Sequence, residues 1–183
     1  MVYKFNIVTD EVDDFKLTIE INADDTFLSL RNAILDAVGY TNDQMDSFFI
    51  CDDDWSKNTE ITLMDMGSES DEDVWIMEDT HLNDLIEDDG QKLLFVFDYL
   101  SDRAFFMEMK ESKPGKNIDK PVVLNKVGKV GPQFIDFDEL EAKNPIVNSS
   151  IFDDDEDFYG DSGYNDDEFD SDSYLNLDDL GDL

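Results

Sequence analysis

The stretch KLLFVFDYLSDRAFFMEMK, residues 92–110, decides the fold class. Residues 92–99 form an apolar run without alternation, which is typical of a strand that is buried on both faces of a sheet. The polar turn LSDR separates this run from a second apolar segment, residues 104–110. Two such runs with a short polar connection predict a β-hairpin whose first strand is central in the sheet.

A second hairpin is predicted near the N-terminus. Residues 2–8 (VYKFNIV) and 15–21 (FKLTIEI) both alternate apolar and polar side chains, which is the pattern of half-buried strands. The helix that follows has Asp25 or Thr26 as its N-cap and Gly39 as its left-handed stop. Its predicted buried stripe consists of Leu30, Ala33, Ile34, Ala37 and Val38.

The remaining segments predict weaker elements. Residues 48–50 are a short apolar run, which predicts a buried strand, and residues 60–66 predict another strand. Residues 81–87 predict a short helix, with Thr80 as its cap. Residues 114–145 hold all four prolines and predict an irregular wrap. This order predicts an α+β fold: a mixed sheet of about six strands, two hairpins plus two strands, with two helices on one face in a β-grasp-like order.

The charge of the chain is unevenly distributed. The net charge is −35, and residues 151–183 hold 14 Asp and Glu but no Lys or Arg. We therefore expect an α+β domain over residues 1–147 and an acidic tail over residues 148–183 that is disordered on its own. A field of this sign repels phosphate backbones and anionic membranes, so direct nucleic-acid binding and membrane binding are disfavoured.

The tail contains apolar side chains among its acids, which a pure spacer seldom has. Acids keep such groups solvated and apart, as suits a segment that folds onto a basic protein partner. The other interpretation is a solubilising tail with incidental aromatic residues. The candidate partner-binding residues are Phe152, Phe158, Tyr159, Tyr164, Phe169, Tyr174, Leu177 and Leu180.

Few residues offer site chemistry, and we expect no cofactor. A nucleophilic pair of Cys51 and His81 is formally possible, but Cys51 ends an apolar run and is better explained as a buried small residue. One Cys and one His cannot supply a zinc site. The aspartates from Asp153 to Asp157 have calcium-loop spacing, but Phe158 and Tyr164 occupy the positions that need Gly and Glu.

Compartment and assembly follow from the same composition. The single cysteine fits a reducing compartment, and no apolar run is long enough to span a membrane. The N-terminal residues lack the pattern of a secretory signal. We therefore expect a monomeric cytoplasmic protein.

The chain resembles the plasmid pRiA4b ORF-3-like family, whose members are also labelled mobile-element passenger proteins of the TnpR type. The resemblance covers roughly residues 2–140 and leaves the tail outside. It is carried by four segments: SFFICDDDW (47–55), EITLMDM (60–66), LLFVFDYLSDRAFFMEM (93–109) and PVVLNKVGKVGPQ (121–133).

The family's most specific run, Y-D-F-G-D-x-W-x-H, aligns with the segment that begins at Phe97. The resemblance implies that Asp98 is retained, that Tyr99 stands for the family's Phe, and that Asp102 or Ser101 falls at the acidic positions. Three substitutions depart from the family: Leu100 replaces its Gly, Arg103 its Trp and Phe105 its His. The family's later proline–glycine stretch is echoed at Pro121, Gly131, Pro132 and Gln133, without its Cys.

The leading hypothesis is a non-enzymatic interaction or accessory protein with a partner-binding tail. The family label implies an alternative, a recombination or mobile-element accessory protein that contacts nucleic acid. A third possibility is a hydrolase that uses Asp98 and Asp102, which a hairpin turn could bring close together. For that pair, as for the acidic run of residues 52–54, a turn-stabilising or solvated role is the simpler explanation.

Overall fold

The computed structural model describes residues 1–65 and 74–134, which form a mixed β-sheet with two helices. The fold class is therefore α+β, as predicted. In chain order the elements are β1 (Val2–Val8), β2 (Lys16–Asn22), α1 (Phe27–Val38), β3 (Ser47–Cys51), β4 (Lys57–Thr62), β5 (Trp75–Ile76), α2 (Leu82–Leu85), β6 (Lys92–Asp98), β7 (Arg103–Lys113) and β8 (Val122–Val127).

The eight strands lie in the order β5-β4-β3-β6-β7-β1-β2-β8. Both predicted hairpins are present, as β1–β2 and β6–β7, and β1 joins them by pairing with β7. Strand β6 lies inside the sheet between β3 and β7, which explains its continuously apolar sequence. All pairs are antiparallel except β4–β5, which is parallel.

The prediction of about six strands was too low. Strand β5 has only two residues, too few for any sequence pattern. Strand β8 lies inside residues 114–145, where the sequence predicted an irregular wrap. Its sequence, VVLNKV, does not alternate apolar and polar residues, and all six residues are exposed. The strand is recognised by its backbone pairing with β2. The strand order does not confirm the β-grasp-like arrangement.

Helix α1 has the predicted ends. The Oγ1 atom of Thr26 accepts a hydrogen bond from the backbone N–H of Ser29 at 3.3 Å, and Gly39 adopts a left-handed φ of 83°. Helix α2 begins differently: His81, not Thr80, is its N-cap. Thr80 is instead buried, and its carbonyl accepts the N–H of Phe27 at 3.0 Å, so it connects the two helices.

Side chains pack on both faces of the sheet. The main core includes buried residues of both helices and the inward faces of β1, β2, β6 and β7. A smaller cluster lies on other strand residues and includes Cys51, Leu94, Val96 and Ala104. Trp55, which has a positive φ of 69°, covers this cluster and contacts Phe106 edge to face at 5.0 Å between ring centroids. The three aspartates before Trp55 are exposed, as predicted.

At Gly128, directly after β8, a substitution by alanine is expected to lower the stability of the fold. Its φ is +73°, and a Cβ atom there would lie 2.8 Å from the backbone oxygen of Asp14. Gly115 has a similar φ of +75° with open space around it. We expect Gly115→Ala to lower the free energy of unfolding by about 1 kcal/mol, the cost of a left-handed alanine. Gly128→Ala should cost clearly more, because backbone must also move. Equal losses in urea unfolding would contradict the predicted clash.

Candidate functional site

Asp98, at the end of β6, organises the turn that leads into β7. One of its carboxylate oxygens accepts the backbone N–H groups of Leu100 at 3.1 Å and Ser101 at 3.4 Å. The other oxygen lies 3.8 Å from the Arg103 guanidinium. These contacts give Asp98 a turn-stabilising role, and Leu100, where the resemblance places a glycine, is exposed at the tip of the turn.

Asp102 lies on the same turn but has a different partner. Its backbone has a positive φ of 50°, and its carboxylate accepts a hydrogen bond from the Lys57 ammonium at 3.1 Å. Asp98 and Asp102 thus each face their own cation. The two carboxylates of the predicted hydrolytic pair therefore have no common cation among these contacts.

Tyr99 connects the turn to strands β3 and β4 of the sheet. Its hydroxyl is within hydrogen-bonding distance of Ser47 Oγ on β3 and lies 2.9 Å from Glu60 Oε1 on β4. Burial is the main cause that raises the pKa of Tyr99 to about 12. The hydroxyl therefore keeps its proton at neutral pH and serves as a hydrogen-bonding group, not as a base.

Arg103 is the most highly connected side chain of this region. Its guanidinium binds both carboxylate oxygens of Glu11 and donates to the carbonyls of Pro132 at 2.9 Å and Gln133 at 3.0 Å. The hydrogen bond that Arg103 donates to Glu11 is the main cause that raises the pKa of Arg103. Four of its five N–H groups thus have protein acceptors. Little of its hydrogen-bonding capacity is left for a ligand.

The segment 129–134, which Arg103 holds, also binds the end of helix α1. The Gln133 amide accepts the backbone N–H of Thr41 at 2.7 Å and donates to the Thr41 carbonyl at 3.0 Å. The Tyr40 hydroxyl donates to the carbonyl of Gly131 at 2.9 Å, and burial raises the pKa of Tyr40 to about 12. The proline–glycine stretch of the resemblance is therefore a clamped segment. We call these contacts the Arg103 clamp.

Cys51 and His81 bind separate backbone groups. The Cys51 thiol is 3.5 Å from the Phe49 carbonyl oxygen, and burial raises its pKa, which opposes formation of a nucleophilic thiolate. The His81 Nδ1 atom lies 2.6 Å from the carbonyl oxygen of Asp24. Each residue thus has a structural contact that accounts for its position.

Glu20 is a buried acid with two cations. The ammonium groups of Lys113 and Lys116 bind its two carboxylate oxygens, the first at 2.6 Å. The hydrogen bond from Lys113, followed by that from Lys116, lowers the pKa of Glu20 below its usual value of 4.5. This ion triplet ties β2 to the end of β7 and to the loop that leads to β8.

Glu20 therefore predicts a pH dependence. A carboxylate with a lowered pKa stabilises the fold fully above pH 4.5, and the contribution disappears as the pH falls through the folded-state pKa. We expect Glu20→Gln to be less stable than the native chain at pH 7, and the difference to shrink toward about pH 3. Urea unfolding at both pH values measures it, with Glu108→Gln as control, because the Glu108 carboxylate pairs with Lys110 and not with Lys113. A difference that does not change with pH would contradict the assignment.

The polar groups of the region are satisfied. Within residues 1–65 and 74–134, no buried side-chain nitrogen or oxygen lacks a hydrogen-bond partner. No group of three or more His, Cys, Asp or Glu in those same ranges is arranged to hold a metal ion. None of their helices is long and apolar enough to cross a membrane. The predicted tail residues lie outside the part described.

The family profile for plasmid pRiA4b ORF-3-like proteins matches residues 4–135, which is most of the chain and includes the β6–β7 turn and the Arg103 clamp. The chain belongs to the plasmid pRiA4b ORF-3-like family. The resemblance drawn from the sequence is thus confirmed, while the mobile-element label stays a prediction. No curated protein matches this family member.

A solved structure of a protein of unknown function from Methanosarcina mazei Go1 shares the fold. It matches 81% of this pRiA4b ORF-3-like chain and 84% of its own length, with a TM-score of 0.56 and 14% sequence identity. At that identity the likeness concerns the fold alone. The sequence identified Arg103 only as a replacement for the family's Trp. Its contacts with Glu11, Pro132 and Gln133 are seen only in the structure. Its partners are far away in sequence, so no local pattern indicated them.

Proposed function

We propose that this protein is a non-enzymatic interaction or accessory protein, in which residues 1–147 are a folded platform and residues 148–183 bind a basic protein partner. The observation that carries the proposal is the charge distribution. Residues 151–183 have 14 acids and no base, and residues 1–150 are themselves acidic, with 34 acids and 13 bases. An acidic segment attached to a domain that is itself net acidic is repelled by that domain as a whole, which directs it toward another molecule.

The geometry of the β6–β7 turn supports a role without catalysis. Asp98 stabilises its turn, and Asp102 pairs with Lys57. The Arg103 guanidinium donates its hydrogen bonds to other groups of the protein. Catalytic groups need perturbed acids or bases that face a reacting molecule. The two tyrosines with strongly raised pKa values are protonated at neutral pH, which suits hydrogen bonding within the fold.

The Arg103 clamp also supports a platform function. It fixes residues 129–134 against the end of α1, and the chain continues from there toward the acidic segment.

Truncation after residue 147 tests the proposal. Full-length and truncated protein are used to capture partners from a lysate, and captured proteins are identified by mass spectrometry. We expect basic proteins that the full chain retains and the truncated chain loses. An unchanged set of partners would reject the role of the tail.

A matched variant separates partner binding from simple solubilisation. Replacing Phe158, Tyr159, Tyr164 and Phe169 by serine keeps every acid but removes apolar contacts. If the tail folds onto a partner, this variant loses the same basic proteins as the truncation. If capture persists at full strength while solubility is unchanged, the tail acts by charge alone and the aromatic residues have no binding role.

A further inference from the structure

Strand β8 is an edge strand with an apolar surface. It pairs with β2 on one side, and no strand within residues 1–65 and 74–134 lies on its other side. Its four aliphatic side chains, Val122, Val123, Leu124 and Val127, are between 39% and 50% exposed. An edge of this kind presents unpaired backbone N–H and C=O groups to any extended segment that reaches it.

A cleft lies beside this edge, between β8 and helix α1. It has a volume of about 520 Å³, and its lining includes Ala33 and Ala37 of α1 together with Lys120, Pro121 and Val123. Val123 pairs with Ile19, which is buried under α1, so the Val123 side chain lies on the helix side of the sheet. The small alanines leave room for the side chains of an added strand.

The charge of this region is opposite to that of the chain. Residues 114–134 contain four lysines and one aspartate, a net charge of +3 in a chain of −35. Lys116 is bound to Glu20, and Lys126 donates to the carbonyl of Ala37 at the end of α1. Lys120 lines the cleft and Lys129 is exposed next to β8, so both can meet an acidic ligand.

We propose that the edge of β8 that faces away from β2 binds an extended acidic segment of a partner protein, which pairs with β8 as a further strand. Main-chain hydrogen bonds supply affinity, and alternate side chains give specificity. Apolar side chains of the segment enter the cleft beside Ala33 and Val123, while its carboxylates meet Lys120 and Lys129. This site is separate from the acidic tail of the proposed function and has its own test.

Two other occupants fit the surface less well. A second copy that paired β8 with β8 would bring two lysine-rich edges together, and like charges across strands are destabilising. A single-stranded nucleic acid needs aromatic platforms for its bases, and the exposed side chains of β8 are aliphatic.

The probe is a fluorescent peptide of about ten residues in which aspartate and valine alternate, enough to span a strand. Binding to the full chain is measured by fluorescence anisotropy, and amide hydrogen exchange maps the contact. We expect saturable binding with slower exchange at residues 122–127. The same peptide with lysine for aspartate should not bind. Equal binding of both peptides, or absence of binding by the acidic one, would overturn the proposal.

Three variants localise the site. We expect Lys120→Glu combined with Lys129→Glu, and separately Val123→Asp, to weaken binding by about tenfold or more. Lys110→Glu is the control, because Lys110 lies on β7 beside Glu108, outside the cleft. Circular dichroism confirms that each variant is folded. Equal weakening by Lys110→Glu, or displacement of the peptide by oligothymidylate at equal affinity, would show a general polyanion effect and reject the proposal.

Discussion

Replacing Arg31 by methionine is expected to lower the free energy of unfolding by about 3–5 kcal/mol, the typical cost of breaking a buried ion pair. The Nε atom of Arg31 lies 2.6 and 2.8 Å from the two carboxylate oxygens of Asp46, and the side chains are only 3% and 2% exposed. Arg31 also donates to the carbonyls of Asn42 and Gln44, both at 3.1 Å. The substitution therefore leaves a buried carboxylate and two carbonyls without their donor.

Denaturant unfolding of a double mutant separates these contributions. Arg31→Met with Asp46→Leu removes both charges, so it should recover part of the loss, while the two carbonyls stay unpaired. Lys57→Met is the surface control, since it breaks the exposed ion pair with Asp102 and should cost less than about 1 kcal/mol. An Arg31→Met loss as small as that of Lys57→Met would show that the pair is not buried in solution.

Phe105→Ala should be about as damaging, with an expected loss of about 3–5 kcal/mol. Phe105 is 1% exposed and lies at the centre of an aromatic cluster. Its ring centroid is 4.8 Å from that of Phe97 and 5.8 Å from that of Phe15, and Tyr40 and Phe95 also contact it. Removal of the ring leaves a cavity that rigid neighbouring rings cannot fill.

Leu100→Ala is the matched control for Phe105→Ala, because Leu100 lies five residues earlier and is 93% exposed. We expect it to change stability by no more than about 0.5 kcal/mol. Thermal and urea unfolding of both variants measure the contrast. Similar losses at the two positions would mean that the β6–β7 hairpin is packed differently in solution.

The sequence predicted those strands and that helix whose apolar residues or caps form a local pattern along the chain. Strands β1 and β2 alternate apolar and polar residues, β6 is continuously apolar, and helix α1 has local caps at Thr26 and Gly39. The same rules failed for β8, whose exposed side chains do not report its backbone pairing. They also missed β5, which has only two residues.

The candidate region was harder to predict because its contacts are distant in sequence. Asp98, Tyr99 and Asp102 are grouped locally, and their turn was evident. Arg103 binds Glu11, 92 positions away, and the carbonyl of Gln133, 30 positions away. Arg31 lay within the predicted helix, but an arginine reads as a surface residue until Asp46 is known to reach it. A buried arginine is identified by its partner and not by its own position in a pattern.

The central position of β1 determines when this sheet can form during synthesis. Strand β1 pairs with β2 on one side and with β7 on the other, where Val2 is opposite Lys113. Strand β1 must therefore wait until the chain has been made as far as β7 before its second edge is paired. Long-range pairing of this kind makes folding slow and leaves an open apolar edge on the nascent chain. The sheet around β1 is thus completed only by residues about a hundred positions further along the chain.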